Sequence, residues 1–230
     1  MKWVLRGLLA LIAVLVIAFL IFRTPDTDAD EMRAKYGGAP AQFLAIWDGV
    51  SVPLRDEGPK DAPAIVLLHG SNADLHTWEP WAQALKADYR VIRFDQVGHG
   101  LTGPDPRHDY SRDNYVADIL EVADKLGLER FILGGNSMGG KHALAFAVAH
   151  PERVVGLVLV GGSGGPMLQR EAKKEDDSGS GNIGFRIAQT PGINLLVEQI
   201  TPRSLIAQSL DQSVSVKSVV TEEAVDRYWE

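Results

Sequence analysis

Apolar positions fall into three regimes along this chain. The first is continuous: residues 7–22 are all apolar or glycine, and Trp3, Val4 and Leu5 extend the run with only Arg6 interrupting. At a helical rise of about 1.5 Å per residue, residues 3–22 reach across the hydrocarbon core of a bilayer. The run is hydrophobic on every side and lies outside the pattern that follows, which argues against a buried core helix. Lys2 and Arg6 precede it, and Asp26, Asp28, Asp30 and Glu31 follow Arg23. That charge order predicts a single-pass anchor, residues 1–23, with a cytoplasmic N-terminus. The remainder then lies across the membrane, on the periplasmic side in a Gram-negative source. The rival is a cleaved signal peptide. Its apolar region would be unusually long, and its one small-residue site, near Thr27-Asp28-Ala29, is poor.

The second regime is a series of short apolar runs between polar stretches. After a polar, Pro- and Gly-containing tether at 24–40, residues 42–47 and 50–54 read as antiparallel strands turning at Asp48-Gly49. Further apolar runs at 64–68, 90–94, from Phe131 onward and at 154–160 read as buried strands. Helical patterns at 77–87, 112–126 and 138–149 lie between them. This alternation predicts an α/β fold, a doubly wound and mostly parallel sheet with helices on both faces. The third regime starts at the glycine-rich 161–166, which lacks the Lys-Ser/Thr ending of a phosphate loop and reads as the exit from the sheet. Residues 168–181 are charged and serine-rich, and 183–230 read as short helices broken at Pro191 and Pro202.

Composition narrows the function. The 230 residues, 45% hydrophobic and 23% charged, suit one globular domain with a sizeable core. A net charge of −7 without a basic stripe argues against a nucleic-acid partner. There is no cysteine, which excludes disulfides, thiolate catalysis and Cys-ligated zinc.

The chemistry concentrates in one motif. The apolar run from Phe131 leads into Gly135-Asn136-Ser137-Met138-Gly139, and a helical pattern follows at once. Strand, Gly-x-Ser-x-Gly and helix in this order make a nucleophile elbow, a strained turn that lifts the serine hydroxyl clear of the backbone. A plain glycine-rich turn is the competing reading of the five residues alone. Upstream, His69-Gly70-Ser71 follows the strand at 64–68, and Asp95-Gln96-Val97-Gly98-His99-Gly100 follows the strand at 90–94. Downstream, His150-Pro151-Glu152-Arg153-Val154 precedes the last apolar strand.

These four motifs, in this order over residues 42–165, resemble the α/β-hydrolase family in its serine-nucleophile branch. That branch holds carbon–carbon bond hydrolases, esterases, lactonases and proline iminopeptidase-like enzymes. The resemblance implies Ser137 as nucleophile, with the backbone N–H groups of Met138 and Ser71 as oxyanion donors. It implies no cofactor, with water and a small apolar ester, lactone, amide or carbon–carbon substrate as reactants. Residues 41–165 become the catalytic core with its first six strands, and 166–230 a partial helical cap or lid. His69 and His99 take structural roles, and His76 and His108 lie in loops at the mouth. His142 lies behind the elbow, and His150 ends that helix. Asp95 reads as a loop-bracing carboxylate rather than the triad acid. In this family the acid and the histidine base follow later strands, whereas no histidine occurs here after His150. The chain therefore reads as about three quarters of an enzyme, inactive by itself, with an open apolar sheet edge. A catalytically inert binding or scaffold protein, or a membrane-tethered assembly subunit, is the alternative.

Overall fold

In the computed structural model, described residues are 2–24, 27–47, 49–161, 199 and 202–230. They fall into two units, one of Ala29–Glu175 and one combining Met1–Asp28 with Asp176–Glu230.

The first unit is built on six strands: β1 (Gln42–Trp47), β2 (Val50–Glu57), β3 (Ala64–Leu68), β4 (Arg90–Phe94), β5 (Phe131–Asn136) and β6 (Val154–Val160). Their order across the sheet is β1-β2-β4-β3-β5-β6. β1 and β2 pair antiparallel, as do β2 and β4, and all other pairs are parallel. β3 lies between β4 and β5 with every residue buried, which explains its unbroken apolar run. Gly49 turns the first hairpin with φ +81°.

Helices cover both faces, as the alternation predicts. α4 (Arg112–Lys125) and α5 (Met138–Ala149) bury Ile119, Val122, Ala143 and Phe146 against Val66, Leu68, Ile92 and Leu133 on one face. α3 (Glu79–Leu85) buries Ala82 with Trp78 against Ile65, Leu67 and Val91 on the other. Pairs of this kind bury tens of Å² of apolar surface per side chain, at about 25 cal/mol per Å².

Three boundaries differ from the sequence pattern. The tether at 24–40 contains α2 (Ala29–Tyr36), whose Asp30 and Glu31 start it and whose Arg33 and Lys35 end it, matching the helix dipole. β2 runs three residues beyond its apolar part, because ion pairs neutralise its charges. Asp56 meets Arg90 at 2.8 Å, and Glu57 meets the fully buried Arg93 at 2.6 Å. The helix expected at 77–87 begins as a 3₁₀ turn, Leu75–Trp78, capped by Asp74 accepting from the His76 N–H, and becomes α-helical at Glu79.

In the second unit, α1 (Lys2–Phe22) carries the long apolar run. α6 (Arg203–Ser213) and α7 (Glu222–Trp229) are joined by Arg203, which meets Glu222 and Asp226 at 2.6 Å each. Pro202 sits at the start of α6. The Thr24 N–H donates to the Gln199 carbonyl, and the Thr27 hydroxyl to that of Glu230. The glycine-rich exit beyond Gly161, the charged 168–181 and the break at Pro191 lie outside the described residues.

Candidate active site

β5 and α5 meet at Ser137, whose backbone sits at φ +50°, ψ −112°. Among the described residues only Asn72 and His108 share a positive φ without being glycine. The flanking glycines explain how so tight a turn is held. A Cβ on Gly135 would lie 2.2 Å from the Gly139 carbonyl oxygen. A Cβ on Gly139 would lie 2.4 Å from the carbonyl oxygens of both Leu68 and His69. Strand, turn and helix therefore touch backbone to backbone, which only glycine permits. The Ser137 N–H donates to Val160 O at 3.0 Å, and Asn136 Nδ2 donates to the same oxygen at 3.3 Å, locking the turn to β6. Ser137 is exposed.

Gly70 brings the second motif to the first. Its ideal Cβ position lies 3.3 Å from Ser137 Cβ and 2.9 Å from Asn136 Oδ1. Ser71, the next residue, starts the turn leading to the 3₁₀ segment. Met138 is the first residue of α5, and the Ser137 side chain does not cap that helix. First-turn amides have no acceptor within their own helix, and the helix dipole leaves positive potential there. The structure thus gathers Ser137, Met138 and the residue preceding Ser71 at the end of adjacent strands.

Five of the six histidines have defined partners. His69 is fully buried; its Nδ1 lies 2.8 Å from Gly70 O, and its Nε2 accepts from the Gln96 N–H at 2.9 Å. His99 packs its ring 5.2 Å from that of His69. His142 Nδ1 lies 2.7 Å from Gln96 Oε1, and Tyr115 stacks on its ring. Burial pushes both His69 and His142 down to about 4, so both are neutral at pH 7. His76 bridges Asp74 and Arg55, and His150 packs on Phe146.

Asp95 braces the loops, as read from the sequence. Its carboxylate accepts the Leu75 N–H at 2.8 Å and the Leu101 N–H at 3.0 Å. Burial, then the nearby Asp74 charge, pushes it up to about 7. Among the described residues no group of three or more His, Asp or Glu side chains is arranged to hold a metal ion. The polar links of Gln96 and Asn136 are not legible in the sequence, since both stand at variable places within their motifs and their partners, His69, His142 and Val160, are distant along the chain.

Residues 63–181 match the α/β-hydrolase fold family, and the chain belongs to it. It is 39% identical over 117 residues to a putative 2-succinyl-6-hydroxy-2,4-cyclohexadiene-1-carboxylate synthase of Bacillus subtilis, covering 50% of this chain and 42% of that protein. It is 38% identical over 124 residues to a 2-hydroxy-6-oxo-2,4-heptadienoate hydrolase of Pseudomonas putida, covering 53% and 44%. The chain thus spans less than half the length of these relatives. A meta-cleavage product hydrolase from Pseudomonas fluorescens superposes with a TM-score of 0.61 at 28% identity, covering 81% of this chain and 62% of that one.

Proposed function

We propose that this chain carries the nucleophile and oxyanion donors of a serine hydrolase. Its substrate class is a small apolar molecule with a carboxylic ester, lactone, amide or carbon–carbon bond next to a carbonyl. The observation that supports this most is Ser137 at φ +50° on a strand-to-helix turn with the His69-Gly70 backbone against it. In this reading Ser137 Oγ attacks the carbonyl carbon, and the oxyanion accepts hydrogen bonds from the Met138 and Ser71 amides. Collapse of this adduct breaks the bond to the alcohol, amine or carbon leaving group, which departs with a proton. Water then cleaves the acyl–Ser137 ester, releasing the acid and restoring the hydroxyl, and no cofactor takes part. The kinship with the Pseudomonas putida hydrolase favours a carbonyl-activated bond as target. The base that activates Ser137 is assigned to none of the six histidines, five of which are already held by partners in the core or the loops.

In the same reading residues 1–23 anchor the protein in a membrane, 24–40 link the anchor to the core, 41–165 hold the chemistry and 166–230 form a lid. The anchor is supported by Trp3–Phe22, whose most apolar stretch has a mean hydropathy of 2.9 and is not buried. The soluble part then lies outside the cytoplasm.

The test is turnover of a panel of p-nitrophenyl esters and lactones by a chain that also carries a triad acid and histidine base, by its Ser137→Ala variant, and by residues 1–230 alone, which this reading expects to be inactive. The reading expects activity in the first and a loss of at least about a thousandfold in the second, with unchanged folding. Equal rates in the first two would remove Ser137 from the chemistry.

A further inference from the structure

Gln96 lies between the loop beside Ser137 and the helix behind it. It is 2% exposed, and His69 is fully buried. Three hydrogen bonds converge on it. Its backbone N–H donates to His69 Nε2 at 2.9 Å, and its side-chain Nε2 donates to His69 O at 2.8 Å. Its Oε1 faces His142 Nδ1 at 2.7 Å.

The donors and acceptors fit in only one way. His69 Nε2 accepts, so its hydrogen is on Nδ1, which donates to Gly70 O. The Gln96 amide must present NH₂ to the His69 carbonyl, since the reverse would set two oxygens together. Its oxygen therefore faces His142, whose Nδ1 must carry the hydrogen. Tyr115 covers the face of the His142 ring, stacked at 4.0 Å, and its hydroxyl donates to Val97 O at 3.1 Å. One side chain thus holds His69 at its carbonyl and α5 through His142. Beside this bridge, Gly139 of α5 lies against the carbonyl oxygens of Leu68 and His69, and Gly70 lies against Asn136 and Ser137.

We propose that Gln96 is a positioning residue that fixes the 69–71 loop against α5 and so aims the Ser71 and Met138 amides at one point. This rests on reading Ser137 as the nucleophile and those amides as its oxyanion donors. Misaimed donors weaken transition-state binding more than substrate binding, so the effect falls on kcat.

One test needs no substitution: ring nitrogen NMR of the intact protein at pH 7 reports each histidine's tautomer. Both His69 and His142 are expected as neutral Nδ1–H forms. An Nε2–H form at His142 would leave Gln96 Oε1 without its donor and overturn the bridge. The second compares Gln96→Leu with wild type by ester kinetics and by amide exchange. The expected result is kcat down about tenfold or more with KM within about twofold. Exchange should also speed up at 69–72 and stay unchanged at 143–148. If the leucine variant does not fold, Gln96→Glu serves, because it keeps the acceptor for His142 but sets an oxygen against the His69 carbonyl. A folded variant with wild-type kcat overturns the proposal, whether or not the loop exchanges faster. If Ser137→Ala is also fully active, the functional reading has failed, and the tautomers and the exchange still decide whether Gln96 holds the loop.

Discussion

Ser137 keeps a left-handed φ that costs an ordinary residue about 1–3 kcal/mol. It is held there by bonds to β6 and by neighbours with no room to yield. That strain is legible in the sequence because five consecutive residues carry it. The polar set around Gln96 is not, since its members lie 27 and 46 positions apart and no motif shows that their side chains meet. Asp95 was legible as a brace from its place before Gly98-His99-Gly100, but its titration was not, because burial and Asp74 raise it. Raised to about 7 in the fold from near 3.9 in the unfolded chain, Asp95 binds its proton more tightly when folded. Its contribution is fully present below about pH 4 and is lost as pH rises through 7. His69 and His142, depressed to about 4, act oppositely: their contribution is present above about pH 6.5 and is lost as pH falls toward 4. Asp95→Asn removes only the first effect. The Tm difference between Asp95→Asn and wild type should therefore move in favour of the variant from pH 5 to pH 7.5. A constant difference across that range, in thermal melts at fixed ionic strength, would contradict this account of Asp95.

The sequence specifies elements where apolar period decides and leaves them open where charge pairing decides. β3, β5 and β6 follow from their apolar runs. The end of β2 does not, because Arg55, Asp56 and Glu57 look like a solvated loop until Arg90 and Arg93 are placed across from them on β4. Burial opposes ionisation of Glu79, yet Arg93 and Gln83 hold its carboxyl down at about 2, so this network stays charged at neutral pH. The alternate residues Val155, Leu157 and Leu159 of β6 are exposed, in line with an apolar face at that end of the sheet among the described residues. The contact between α5 and β3 is the tightest of these packings. Gly139→Ala would drive a Cβ into two backbone carbonyls that cannot rotate away, and should destabilise by about 3 kcal/mol. Urea unfolding would show this as a lower midpoint at unchanged m-value. A loss below about 0.5 kcal/mol would mean that helix and strand are not packed as described.

At the scale of the molecule, the fold family follows from four motifs in order, and the chain's kinship confirms it. The substrate was not legible, because a pocket is made by side chains from many segments and no motif spells its shape. Membrane attachment rests on α1. The intact protein should stay in the membrane pellet after alkaline carbonate, and deletion of residues 2–23 should release it. A mature protein that begins near Ala29 and is recovered in solution would identify the segment as a cleaved signal instead. The most direct test of the central claim is covalent. Protein that also carries the triad acid and histidine base is treated with a fluorophosphonate, digested, and the adduct located by peptide mass, since such reagents report an activated serine. The account predicts a single adduct on Ser137 that Ser137→Ala abolishes. A folded protein that takes up no label at Ser137, or is labelled at another serine, would contradict it.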